Sequence, residues 1–414
     1  MRPALLMALA MALPACADGD RAARCAELND ALAVCFPDDF AATDCRDVSD
    51  VDIDNLVAIL DSDACEAVRD ALPSDGDMRA ARCRLFDDDC AEPLTPPPVY
   101  RPTRYPIVLV NGIDTSPLFR WSDRIVTVMR RLGGHDVHLA IDTPYETPAR
   151  RAQDLWRQVK AVLAETGAPK VNLVCHSLGG LDCRYLVSPG GLHWEVPESH
   201  AEIVRAVASV TTVGTAHRGT RAADMALGLL PDGDVGRAVE SLATFLGDAF
   251  TVDALAHDVH LREAVQALTT DEARAFNAGV PDADGVIYQS WAGFSRPYGV
   301  APPGFDTLLA ELCRDDDGGS GLVGWSGEHD FMALSLVATA DIVGDDPAHP
   351  DVVAPNDGLT AVASARWGRF RGCVPADHME QLGQYDLPDV NVRTGFDVAW
   401  FYAAVAADLA EQGL

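Results

Sequence analysis

The chain has 414 residues, 48% of them apolar and 23% charged, enough for one sizeable domain with a smaller companion and too apolar for wholesale disorder. Its net charge of −31 comes from 63 acidic and 32 basic residues, with Lys160 and Lys170 the only lysines; such a surface repels phosphate backbones and excludes nucleic acid as a partner. The acidity is read as a solvated surface rather than a docking face for a cationic partner.

In chain order, Met1-Arg2 and the apolar run Ala4 to Leu13 are too short to span a bilayer and have the form of a secretory signal peptide, residues 1–15. The stretch Leu13-Pro14-Ala15-Cys16 resembles a bacterial lipoprotein box, in which Cys16 is lipidated after cleavage. Ordinary cleavage near Ala15 is the alternative. Both readings predict export: the first to the outer membrane or cell surface through an N-terminal lipid anchor, the second as a secreted protein.

Residues 16–92 are acidic, alanine-rich and studded with Cys25, Cys35, Cys45, Cys65, Cys83 and Cys90. In an exported chain this even set predicts up to three disulfides in a small helical module. A zinc cluster is disfavoured, because no C-x-x-C pair occurs there and no histidine precedes His135. Residues 93–104 form a proline-rich linker.

From residue 105 to 414 the pattern alternates. Strands are expected at Tyr105 to Val110, Val137 to Ile141, Lys170 to Cys175, Ala206 to Val213 and Val286 to Trp291, with a further strand-like run at Leu334 to Val343. Helices are expected at Thr147 to Thr166 and Gly395 to Leu409. Short apolar runs separated by helices predict an α/β fold with a mostly parallel sheet covered by helices. Cys313 and Cys373 can form a further bridge, whereas Cys175 and Cys183 are expected as buried thiols.

The chemistry-bearing motif is Val171 to Gly180, where an apolar strand runs into Ser177 flanked by small residues and a helical segment. That is the form of a nucleophile elbow, in which a sharp strand-to-helix turn lifts a serine hydroxyl into reach of a base. In such hydrolases the acid and the histidine follow in that order. Asp357, in the turn-forming Asn356-Asp357-Gly358-Leu359, and His378, the last histidine of the chain, satisfy it. Leu178 N–H and, beyond the first strand, Ile113 N–H after Gly112 are the expected oxyanion donors.

Taken in order, Tyr105 to Gly112, Lys170 to Gly180, Thr211 to Thr220, Tyr288 to Trp291, Asn356 to Leu359 and His378 to Gln384 resemble the true lipases of Gram-negative bacteria, secreted triacylglycerol lipases of the α/β-hydrolase fold. The resemblance covers about three quarters of the chain. It implies a catalytic triad of Ser177, Asp357 and His378, oxyanion donors Ile113 and Leu178, and no cofactor for the chemistry. It also implies a structural calcium held by Asp330, Glu380, Gln384 and the carbonyl of Pro388, a lid over about residues 222–250, and a possible dedicated folding chaperone. The chain departs from the family at Asn111, usually histidine, at Cys175, usually glycine, at Ala216, usually proline, at Glu380, usually aspartate, and at Ala363, usually cysteine.

The expected function is therefore that of a serine carboxylic-ester hydrolase acting on a lipid or other ester, most specifically a triacylglycerol lipase working through an acyl-enzyme. A phospholipase or acyltransferase on the same triad is the alternative, as is a catalytically inactive surface-binding lipoprotein.

Overall fold

The structure, a computed structural model, describes residue 26 and residues 102–414, apart from 115–118, 132, 229–258, 346–348, 350, 385–390 and 392–393. Cys16, the cysteine-rich module except Ala26, most of the expected lid and Pro388 lie outside the described residues.

Six strands, β1 (Ile107–Val110), β2 (Val137–Ala140), β3 (Val171–His176), β4 (Val207–Val213), β5 (Ile287–Gly293) and β6 (Arg369–Val374), form one sheet in the order β2-β1-β3-β4-β5-β6. Every neighbouring pair is parallel. Parallel strands require crossover connections, and the helices that supply them cover both faces. Helix α1 (Asp123–Arg131), α2 (Pro148–Thr166), α3 (Gly179–Val187) and α4 (His200–Ala206) lie in the first half of the chain. In the second half are α5 (Arg221–Ala226), α6 (Val259–Gln266), α7 (Thr270–Gly279), α8 (Phe305–Leu312), α9 (Leu334–Val343), α10 (Val362–Ala365) and α11 (Val398–Glu411).

The strand period of two sorts side chains between the layers. Ile107 and Leu109 pack with Ile125 and Met129 of α1 and Phe401 and Val405 of α11. Val108 and Val110 pack with Leu155 and Val159 of α2 and Leu186 of α3 on the opposite face. A third apolar cluster, including Ile113, Leu178, Val265 and Leu336, gathers residues around the site described below.

Local chemistry sets the element limits. The Thr147 side chain accepts the Arg150 N–H, Pro148 opens α2, and Gly167 closes it in the left-handed region at φ 69°. The run Leu334 to Val343, expected as a strand, is the helix α9. Its buried residues Leu336, Ala340 and Val343 recur at intervals of four and three, the helical spacing. Apolar residues on the remaining faces, such as Val337 and Ile342, hide that period in the sequence. Strand β6 escaped the sequence reading because Arg369, Arg371 and Gly372 interrupt its apolar residues.

Two disulfides are present among the described residues. Cys313–Cys373 joins the end of α8 to β6, as the sequence allowed. Cys175 and Cys183, expected as separate buried thiols, are also bonded to each other. The correction has a geometric cause: the turn at Ser177 folds α3 back along β3 and brings the two side chains into one apolar cluster.

Candidate active site

Ser177 follows β3 directly and has φ +53°, a conformation that non-glycine residues adopt only when their surroundings dictate it. Its N–H donates to the Val213 carbonyl at 3.0 Å and its carbonyl accepts the Thr215 hydroxyl at 2.8 Å. The turn is also a matter of space. A Cβ on Gly179 would lie 2.4 Å from the Asn111 carbonyl oxygen, and one on Gly180 would lie 2.1 Å from Thr215 Oγ1.

Asp357 and His378 come from loops beyond α9 and β6, and the fold brings both to Ser177. His378 Nε2 is 2.8 Å from Ser177 Oγ and His378 Nδ1 is 2.9 Å from Asp357 Oδ2. The histidine N–H also donates to the Asp357 carbonyl at 2.9 Å, which fixes the distance between the two backbones. The Asp357 carboxylate is fully buried, and Oδ1 accepts the Leu359 and Thr360 N–H groups while Oδ2 accepts Gln381 Nε2. Such a set of donors fixes the orientation of the carboxylate toward the imidazole. On the other side of His378 the His176 ring sits 4.6 Å away, centroid to centroid. Burial and then the charge of His378 hold His176 well below the ordinary imidazole range, so it remains neutral beside the relay.

The loop after β1 carries Asn111-Gly112-Ile113. A Cβ on Gly112 would be 3.0 Å from Ser177 Cβ, so the close approach of this loop to the nucleophile depends on glycine. Neither Ile113 N–H nor Leu178 N–H donates to an acceptor among the described residues. The carbonyls around them, by contrast, are bonded. Arg151, wholly buried, donates from Nη2 to the Asn111 and Gly112 oxygens at 3.1 and 2.7 Å and from Nε to Asp182 Oδ2 at 2.7 Å. Tyr145 N–H donates to the Ile113 oxygen at 3.0 Å. The Asn111 amide donates to the Gly112 and Asp114 carbonyls and accepts the Asp142 N–H, taking three backbone bonds where the family carries histidine. Burial, followed by the charge of Asp182, pushes the Asp142 carboxyl up to about 8.

An apolar cleft opens beside Ser177 and His378, lined by Phe119, Ala216, Ala222, Ala223, Val265 and Leu268. Of the segment expected as a lid, residues 222–228 are described; α5 within it contributes Ala222 and Ala223 to the cleft.

The calcium expectation meets a mixed outcome. Asp330 and Glu380 come together, and Asp377 joins them, with ligand atoms within 4.8 Å of one another and all three residues buried. Among the described residues Asp330 Oδ2 has no hydrogen-bond partner. Burial and then Asp330 push the Asp377 carboxyl up to about 7. Three crowded buried carboxylates with a free oxygen fit a hard divalent cation. Asn391 donates its amide to both Asp330 and Glu380. The Gln384 side chain turns instead to the Arg120 carbonyl, at 2.6 Å, and Pro388 lies outside the described residues.

Asp377, Arg151 and Gln381 were not singled out from the sequence. For Arg151 a signal existed: it shares the helical face of Leu155, Val159 and Val162, a charge on the buried stripe of α2.

Comparison with known proteins gives no matching family model. Among curated proteins, a triacylglycerol lipase of Vibrio cholerae serotype O1 is 34% identical over 224 residues, 49% of this chain and 67% of the relative. Triacylglycerol lipases of Pseudarthrobacter phenanthrenivorans and Burkholderia plantarii are each 33% identical over 192 residues, 44% of this chain, and the match spans 56% and 50% of their lengths. Among solved structures, lipase 1 from Pelosinus fermentans aligns at TM-score 0.46 and 18% identity over 75% of this chain and 99% of its own. With 34% identity across two thirds of the Vibrio relative, and the α/β-hydrolase arrangement of sheet and elbow described above, the chain belongs to the triacylglycerol lipase family of carboxylic ester hydrolases.

Proposed function

We propose that the chain hydrolyses acylglycerol esters through a Ser177 acyl-enzyme, with His378 as base and acid and Asp357 as its orienting partner. The observation that carries this reading is the unbroken relay from Ser177 Oγ to His378 Nε2 at 2.8 Å and from His378 Nδ1 to Asp357 Oδ2 at 2.9 Å. Ser177 Oγ attacks the ester carbonyl while its proton passes to His378 Nε2; Asp357 stabilises the imidazolium so formed. The carbonyl oxygen takes the negative charge and is met by the Ile113 and Leu178 N–H groups, which have no other acceptor among the described residues. His378 then gives its proton to the departing alcohol oxygen, leaving Ser177 acylated. A water molecule, deprotonated by His378, attacks the acyl carbon, and the proton returns to Ser177 as the fatty acid leaves. The apolar cleft beside Ser177 suits an acyl chain.

A calcium ion, held by Asp330, Asp377 and Glu380, would neutralise the carboxylates on the loop that carries His378. A chelator is expected to lower the thermal midpoint, and an unchanged midpoint and activity refute the ion.

The family relation supports ester hydrolysis; the test concerns the residues and the substrate. A fluorophosphonate probe is expected to label the wild-type protein and leave Ser177→Ala unlabelled. A panel of short soluble esters, triacylglycerols and phospholipids is expected to show triacylglycerol turnover. Activity confined to short esters sinks the lipase assignment, and equal labelling of Ser177→Ala sinks the nucleophile. The same proposal places the protein outside the cell, anchored through Cys16, on the strength of Leu13-Pro14-Ala15-Cys16. Incorporation of a palmitate analogue that survives in Cys16→Ser would overturn that part.

A further inference from the structure

We propose that the Cys175–Cys183 disulfide is a positioning element for the nucleophile, one that holds the strand-to-helix hinge and makes ester hydrolysis depend on a closed bond. The inference rests on the reading of Ser177 as nucleophile.

The bond links residues eight apart and brackets the catalytic turn itself. Between its ends lie Ser177, the oxyanion donor Leu178, and Asp182, which holds Arg151 against the carbonyls of the oxyanion loop. One cross-link therefore spans the nucleophile, one donor and the anchor of the other donor's loop.

The turn it encloses is strained, with Ser177 at φ +53°. Among the described residues, the turn is also held by the Ser177 N–H bond to Val213, the Thr215 hydroxyl bond to the Ser177 carbonyl and the helical bonds that open α3. The first two tie Ser177 to β4 and its following loop; neither fixes α3 to β3. The disulfide does, from Cys175, the penultimate residue of the strand, to Cys183 in the middle of the helix, and both residues are wholly buried. The family that the sequence resembles usually has glycine at position 175, which has no side chain to bond to the helix. Here the contact between strand and helix is covalent, with the two Cα atoms 6.8 Å apart.

Burial also decides how the dependence should be tested. The sulfurs are shielded from solvent reductants in the folded protein, so variants, rather than added thiol, isolate the effect. The double variants Cys175→Ala/Cys183→Ala and Cys175→Gly/Cys183→Ala should be compared with Cys313→Ala/Cys373→Ala, which removes the other disulfide, at a temperature where circular dichroism shows each folded. The readouts are kcat and KM on a soluble short-chain ester and the second-order rate of Ser177 phosphonylation. Cys175→Ala/Cys183→Ala is expected to lose tenfold or more in kcat and in phosphonylation rate with KM within twofold of wild type. The glycine variant should recover part of that loss by restoring the close strand–helix contact, and Cys313→Ala/Cys373→Ala should keep both rates per folded molecule. Rates within twofold of wild type in the alanine pair, with only the thermal midpoint lowered, overturn the proposal. So does failure of both Cys175/Cys183 pairs to fold, since the bond is then a folding requirement and not a positioning device. Absence of labelling in the wild-type protein would instead refute the nucleophile itself.

Discussion

At the scale of single residues, the relay places its demands on geometry more than on charge. Asp357 keeps the His378 tautomer by one bond to Nδ1 while three further donors hold its own carboxylate in place. Asp357→Asn is expected to lower kcat by about 10⁴ with the fold retained, because the amide presents the wrong hydrogen-bond partner to the imidazole; steady-state kinetics on a short ester check it. Gly179 makes the complementary demand of space. A side chain there meets the Asn111 backbone oxygen at 2.4 Å, so Gly179→Ala should destabilise the protein by about 1–3 kcal/mol and displace the oxyanion loop, lowering kcat as well. Gly279→Ala is the control, with no atom within 4 Å of the added Cβ. Urea denaturation of the two variants separates the effects.

At the scale of elements, the two disulfides separate stability from positioning. In the chain-entropy account a cross-link stabilises by restricting the unfolded chain, more for a longer loop. Cys313–Cys373 spans 60 residues and Cys175–Cys183 spans 8. Removal of the first pair should therefore cost about 4 kcal/mol and removal of the second about 2.5 kcal/mol. Calorimetry on the two alanine pairs checks this order, which is the reverse of the order expected for catalytic rate. How much of this was legible in the sequence depended on the kind of contact. The elbow serine, the glycine after it and the ordered acid and histidine could be read directly, because turn chemistry and chain order are local properties. The bond between Cys175 and Cys183 could not, since it follows from the angle at which α3 returns along β3. Helix α9 differs from the expected strand for a related reason: Ser335, Thr339 and Asp341 are scattered so that the apolar residues of the run show no clear period until packing shows which of them face inward.

At the scale of the whole molecule, pH couples stability to the buried acids behind the oxyanion loop. Asp142 is held near 8 in the fold by burial and the neighbouring Asp182, against the ordinary carboxylate range when unfolded. Between those values the folded protein binds the extra proton, so this contribution is complete at about pH 4 and is lost as pH rises through about 8. Wild-type stability should fall across that window by up to about 1.4 kcal/mol per pH unit from this group, and Asp142→Asn should flatten the dependence. Chemical denaturation at a series of pH values measures both. A slope that Asp142→Asn leaves unaltered would refute the assignment. The remainder of the −31 charge is a separate background, cancelled by taking the difference between the two proteins.

The sequence by itself determined the fold class and the order of strand, elbow, acid and histidine, and it allowed the bridge between Cys313 and Cys373 that the structure contains. Hydrophobic period, turn chemistry and chain order are written along the chain and need no long-range contact to be read. Only the tertiary structure decided that Arg151 is buried behind the oxyanion loop, that Asp377 completes an acidic cluster with Asp330 and Glu380, and that Cys175 closes onto Cys183. Each of these joins residues whose proximity arises from the packing of helices against a parallel sheet, and a distance of that kind exists only once the chain has folded.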